Sequence, residues 1–535
     1  MNWIDYTIIV VYLLAFLGLG YFFKENKDSE DYFLGGRSMG WLPLSLSTMA
    51  TQLSAISFIS APAFVGIKEG GGLQWLTYEF GVPLAMAFLM ITLIPSLYKA
   101  GIVSIYEYLE RRFDASSRLL ISFVFQISRS VATGVMVYTM ALILQATTGI
   151  AFWISVLLIG VITLVYSFQG GMKAVIWGDV AQMLILFLGI VICLVYGISA
   201  LGGFDNFLTQ VDTERLTAVD FSKWGFNNAD NNDEFGFWPM VIGGFFLYAS
   251  YYGTDQTQTQ RMLSAKSMGT IKKLLLANGL FRFPVTLTYC IMGLVLGTLL
   301  LSDIGFQEQV NQVYEANISS LAGKKADLMV PVFIIKYLPN GIIGILLVAI
   351  MSAAMSSLSS SVNSLSAVSI EDVVKRFKKD LTDAQYVKYS RWLSLFWGLV
   401  CLFFAFFAGS IEGTIIEVIN KVGSIFFGPM LAAFVLALLT KKTHALGANI
   451  GIILGVLLNM YLWLYVPQIF WFWWNAIGCV TTLIIAYVIS ILVPRKAKEG
   501  IPFELYPAKK EIGLLLGYFV LIVVLAMSLK SILGL

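Results

Sequence analysis

Fourteen stretches of the chain are apolar and long enough to be read as membrane-spanning helices, near residues 4–23, 41–66, 73–98, 117–147, 151–168, 175–200, 237–259, 274–301, 340–369, 392–408, 413–439, 446–466, 469–493 and 512–533. A helix rises about 1.5 Å per residue, so about 20 mainly apolar residues cross the hydrocarbon. The longest loops run near 202–236 and 302–330, which leaves no room for a separate soluble domain. Three stretches break the apolar pattern. Ser45–Ser57 interrupts the second predicted helix at mid-depth, with apolar sequence on both sides. Tyr251–Arg261 interrupts the seventh, and reads either as a second break or as the inner edge of a loop. Met351–Ser369, MSAAMSSLSSSVNSLSAVS, is rich in serine and has no aromatic residue.

Hydrocarbon offers a hydroxyl no partner, so the serines must face protein, water or an ion. Ser356 and Ser357 stand one turn before Ser359 and Ser360, which puts hydroxyls on one helical face. Clustered hard oxygens suit a small hard cation. A small-residue packing face accounts for the same pattern. The two interrupted helices lie five spans apart, the arrangement expected of an inverted-repeat transporter with a site at mid-membrane.

Composition agrees with the span pattern. Of 535 residues, 58% are hydrophobic and only 13% charged, against roughly 25% charged in soluble domains; mean hydropathy is +0.80. Most of the 35 basic residues collect in alternate loops, among them Arg111, Arg112, Lys173, Lys272, Lys273, Lys375, Arg376, Lys441 and Lys442. Those loops are therefore the inner ones, both termini lie outside, and the net charge of +3 needs no nucleic-acid partner. The N-terminus MNWID lacks the basic region of a cleaved leader, so the first helix is expected to be retained. The four cysteines fall in apolar spans and predict no disulfide framework. A lone histidine, His444, beside Lys441 and Lys442, argues against a His-based metal or catalytic centre. No P-loop is present, so the chain is read as a non-enzyme.

Charges inside the spans are functional candidates: Glu79, Asp179, Arg129 and Arg282. Simpler roles exist for some. Asp179 suits a helix cap, Arg282 suits snorkelling, and Glu417 with Lys421 forms an i,i+4 pair that neutralises itself.

The segments DYFLGGRSMGWLPLSLS, LSAISFIS, IYEYLERRF, GGMKAVIWGDVAQ, GTDQTQTQRMLSAKS and MSSLSSSVNSLSAVSIEDV, in this order from about 31 to 440, resemble the sodium:solute symporters of the sodium/glucose cotransporter superfamily. The resemblance implies an all-α polytopic membrane protein with a LeuT-type core of two inverted five-helix repeats. It divides the chain into a peripheral helix in 1–30, a first repeat in 31–201, a second in 202–440 and three peripheral helices in 441–535. It implies a Na⁺ site made by the Ala50, Leu53 and Ala353 carbonyls and the Ser356 and Ser357 hydroxyls. A second sodium site in some members matches Asp179, Ser356, Ser359 and Ser360. It also implies a solute pocket. Tyr78 and Glu79 match a sugar-binding Tyr-Glu pair, Arg282 stands where sugar transporters have lysine, and Asn420 stands where they have glutamine. Ser57 replaces a glutamine, Tyr248 falls near a family asparagine, and Tyr251 falls near an aromatic gate. GVMVYTMALIL and SAVSIEDVVK look closer to the monocarboxylate and iodide branch. Arg129 lies about one turn from where sialic-acid members bind a carboxylate.

The expectation is a plasma-membrane symporter, working as a monomer in the lipid bilayer, that imports a sugar or polyol with sodium. The alternative is a small organic anion paired with Arg282 or Arg129. Ser357→Ala is expected to raise strongly the sodium concentration for half-maximal uptake in proteoliposomes. If two ions bind, Asp179→Asn lowers the Hill coefficient for sodium in the same assay.

Overall fold

The structure is a computed structural model that describes residues 1–22, 29–227, 233–317, 324–378, 380–408, 411, 413–498, 503 and 505–534. Among these residues it is a helical bundle, and every predicted span coincides with a helix; the end of the first, residue 23, lies outside the described residues. Nine helices have the length and apolarity to cross a membrane unaided, and a bent pair makes a tenth. The others are shorter or more polar. The predicted pair 151–168 and 175–200 forms one run, Phe152–Ala200, bent at Gly171, whose φ of 57° suits only glycine comfortably.

Both predicted interruptions are breaks. Trp41–Gln52 stops, Leu53 leaves helical geometry, Ser54 is extended, and Ala55–Gly66 restarts at a 55° bend. The Ser54 hydroxyl accepts the Ile56 amide at 3.2 Å, so the restart carries its own cap. Phe237–Gly253 stops in the same way at Thr254 and Asp255, and Gln256–Leu263 restarts under Asp255, whose carboxylate accepts the Thr257 amide at 2.8 Å. All of Gln256–Leu263 is buried despite the sequence QTQTQRML, so this segment is a half-helix inside the bundle and not a loop edge.

The serine-rich helix, Ile342–Val368, is buried from Leu346 to its end, which is why it tolerates no charge and needs small side chains. It packs against both halves of the first broken helix and against Phe152–Ala200. Its inner end passes into a π-helical turn, Ser369–Val374.

The second half of the first broken helix, Ala55–Gly66, sits backbone-to-backbone on Met268–Ser302. A Cβ on Gly293 would meet the Pro62 carbonyl at 2.6 Å, and one on Gly297 would meet the Gly66 carbonyl at 2.4 Å. These two glycines form a G-x-x-x-G pair, the device by which membrane helices approach closely without a hydrophobic driving force. The site below depends on this contact, because it holds one wall of the break in place. Gly293→Leu is expected to separate the two helices at a cost of about 3 kcal/mol or more, seen as aggregation in detergent size-exclusion chromatography and a lower melting temperature.

Candidate functional site

The first break ends a hydrogen-bond ladder in the bundle interior. The Leu53 amide closes onto Met49 at 2.8 Å, after which the extended backbone at Ser54 leaves the preceding carbonyls without their usual helical donors. Ala50 and Leu53, which supply two of the predicted sodium oxygens, lie here and are buried. The serine-rich helix, packed on this segment, presents the rest. The Ser357 hydroxyl donates to the Ala353 carbonyl at 3.1 Å, and Ser356 donates to Asp179. Each hydroxyl oxygen keeps a lone pair. These neutral, buried oxygens fit a sodium ion in kind.

The second predicted sodium group is arranged differently. Asp179 is not a cap at a helix start; it sits inside the continuous run Phe152–Ala200, fully buried, where a carboxylate needs a countercharge. That charge is Arg261, at 2.7 Å. Arg261 was placed in an inner loop by the span count, but the second break carries it into the bundle, where it is 1% exposed. Its Nε donates to Ser47 at 2.8 Å, Nη2 donates to Ser360 at 2.5 Å, and Nη1 donates to the Thr257 carbonyl at 2.5 Å. Ser47 in turn donates to Asp179 at 2.5 Å, and Ser359 donates to the Ser356 carbonyl at 3.0 Å. A guanidinium thus stands among Asp179, Ser356 and Ser360. It ties both broken helices, the serine-rich helix and Phe152–Ala200 into one knot.

Beside the first break lies a chamber of about 90 Å³. One water needs ~10–15 Å³ on that measure, so the space suits a small solute or several waters. Ser57, Tyr78, Tyr251, Arg282 and Asn420 all line it. Glu79 and Tyr248 do not; they stand behind the wall. Glu79 accepts from Arg282 Nε at 3.1 Å and Nη2 at 3.0 Å and from the Thr286 hydroxyl at 3.0 Å, so Arg282 is bound to a buried carboxylate and does not snorkel. Tyr248 stacks on Tyr78 with centroids 5.6 Å apart. Asn420 donates to the Ile416 carbonyl at 2.7 Å, which turns its amide oxygen free to accept. Glu417 does not pair with Lys421 alone. It closes a capping box with Thr414 and pairs with Lys68 at 2.5 Å, because an N-terminal carboxylate is drawn to the helix's own free amides.

Arg129 also lines the chamber, buried and ion-paired to Asp255, with the Tyr251 ring 5.4 Å from its guanidinium. Sequence reading had marked Arg129 but missed Asp255 and Arg261 as site residues. The one signal was the dense polar run TDQTQTQR, whose charged ends are these two residues.

The model of the sodium:solute symporter family matches residues 32–455. The human sodium/iodide cotransporter is 29% identical over 464 residues, 85% of this chain and 69% of that protein. The mouse sodium-coupled monocarboxylate transporter 1 is 30% identical over 469 residues, 85% of this chain and 72% of that protein. A solved structure of a Na⁺-coupled sialic acid symporter in a substrate-bound, outward-open state superposes with a TM-score of 0.80 at 25% identity, covering 94% of this chain and all of that one. The bundle is therefore a LeuT-type fold with an inverted-repeat core. With two capped helix breaks facing a serine-rich helix and a polar chamber, the chain belongs to the sodium:solute symporter family and is a multi-pass, sodium-coupled solute symporter.

Proposed function

We propose that the solute is a small organic anion, a monocarboxylate or a sugar acid, carried inward with sodium by alternating access. The observation that carries this reading is the presence of two buried arginines, Arg129 and Arg282, in the wall of one small chamber. Each is neutralised by a carboxylate, yet Arg282 Nη1 and Arg129 Nε have no hydrogen-bond partner among the described residues. Guanidinium groups with donors left unmet in the chamber wall suit a carboxylate, which accepts several at once. The relatives named for iodide and monocarboxylates, and the structural neighbour named for sialic acid, support an anion. A sugar or polyol is the second reading, favoured by the hydroxyl and amide groups of Ser57, Tyr78, Tyr251 and Asn420 around the same space.

The same reading places sodium on Ala50, Leu53, Ala353, Ser356 and Ser357. Arg261 takes the position of a second cation beside Asp179, Ser359 and Ser360, so we read one sodium per cycle. The transporter is placed in the plasma membrane as a monomer with both termini outside, in keeping with the distribution of basic residues.

Uptake into proteoliposomes under a sodium gradient tests the solute class. Arg282→Gln is expected to abolish uptake of monocarboxylates and sugar acids while lowering sugar uptake only a few-fold. The double substitution with Glu79→Gln, which leaves no unpaired buried charge, distinguishes lost recognition from lost folding. Equal tolerance of all solutes overturns the anion reading. For the knot, Asp179→Asn is expected to cost about 3–5 kcal/mol by stranding Arg261, read as a lower melting temperature that a combined Arg261→Gln partly restores. A wild-type Hill coefficient for sodium near two overturns the one-ion reading.

A further inference from the structure

The two ion pairs at the chamber are built differently. Glu79 is outside the wall, and three donors from Arg282 and Thr286 hold it there, so nothing entering the chamber reaches it. Asp255 is in the wall, next to the guanidinium it neutralises. It belongs to the two-residue break of the second broken helix, where Asp255 is extended and the backbone keeps the Thr254 amide on the Ser250 carbonyl at 2.7 Å and the Thr259 amide on the Asp255 carbonyl at 2.9 Å. Its second oxygen caps Gln256–Leu263 through the Thr257 amide at 2.8 Å, a bond that needs an acceptor but no charge. Arg129 Nε is without a partner, so the guanidinium is not saturated by Asp255.

We propose that Asp255 is a displaceable counter-ion: it occupies Arg129 in the empty chamber, and the carboxylate of the incoming solute takes its place there. The inference rests on the organic-anion reading and names how that anion is selected. A neutral solute has no charge to exchange for Asp255 and leaves the pair closed. An anion that binds also leaves Asp255 as a buried carboxylate without its partner, a state costly in a dry interior. Both pairs are neutral when the chamber is empty, so the anion alone would leave a net negative charge at mid-membrane. A sodium ion at the neighbouring break restores neutrality, which makes the two bindings mutually dependent.

The displacement also reaches the inner side. The break and the half-helix below it are held by the Tyr106 hydroxyl, which donates to the Thr254 carbonyl at 3.2 Å, and by Gln256, which bonds the Ile105 amide at 2.9 Å and the Val103 carbonyl at 2.7 Å. Asp255 joins this clamp to Arg129, on Ala115–Thr148. Its release removes one tie between the half-helix and that wall.

The test is sodium-driven uptake of radiolabelled lactate and gluconate by the full chain in proteoliposomes, with melting temperature recorded for each variant. Asp255→Asn keeps the cap and removes the competing charge. It is expected to lower KM for the transported anion about tenfold, within the range of couplings between binding sites, and to lower kcat, since nothing then returns to expel the solute. Arg129→Gln in the same background is expected to abolish the tightening. A folded Asp255→Asn protein whose KM is unchanged or raised overturns the proposal, as does failure of both Asp255→Asn and Asp255→Ser to fold, which assigns Asp255 a structural role. Wild-type protein that takes up neither anion overturns the anion reading itself. Wild-type uptake with an unaltered KM in Asp255→Asn overturns only the counter-ion.

Discussion

Hydrocarbon cannot hydrogen-bond, and the whole molecule follows from that constraint. A helix that breaks at mid-depth must satisfy the ends it creates from within the protein. Ser54 and Asp255 do so on the side of the restarting helices, by capping their first turns. The carbonyls on the other side of the first break lack their usual helical donors, and the serine-rich helix packed on this segment carries hydroxyls. A sodium ion is the natural acceptor of such a surplus of oxygen lone pairs. On the proposed reading, the ion supplies the remaining half of the hydrogen-bond problem that the break poses.

Charge is treated by the same rule. Arg282, Arg129 and Arg261 are all buried, and each has a carboxylate partner: Glu79, Asp255 and Asp179. Each pair joins spans distant in sequence, so each acts as a tie between parts of the bundle. Breaking such a tie without replacing its charge is expensive, which is what allows a bound ion or solute to bias one arrangement over another.

The charge of the solute bears directly on the driving force. A tenfold sodium gradient contributes about 1.4 kcal/mol per ion, and a potential of 100 mV adds about 2.3 kcal/mol for each net charge moved. A neutral solute carried with one sodium uses both terms. A monovalent anion carried with one sodium moves no net charge and uses only the first. With Arg261 beside Asp179 in place of a second cation, an anion would therefore be accumulated only about as far as the sodium gradient itself. On the proposed reading, selectivity for anions and modest concentrating power go together.

The amino-acid sequence by itself determined the spans, the first break and the serine-rich helix, because each is written in consecutive residues as a change in apolar run or composition; Tyr251–Arg261 reads equally as a loop edge, and only packing makes it a second break. LSAIS and GTDQ carry the caps that restart the broken helices, and G-x-x-x-G carries the close helix contact. The chamber was legible in part: Ser57, Tyr78, Tyr251, Arg282 and Asn420 line it as expected, while Glu79 and Tyr248 stand behind it. Which charge meets which was decided only by the tertiary structure. Arg261 finds Asp179 across 82 residues and Arg129 finds Asp255 across 126. Hydropathy along a chain records how deep a group lies in the membrane but not which way it faces around the bundle axis. Pairing depends on that second coordinate, and only packed helices define it.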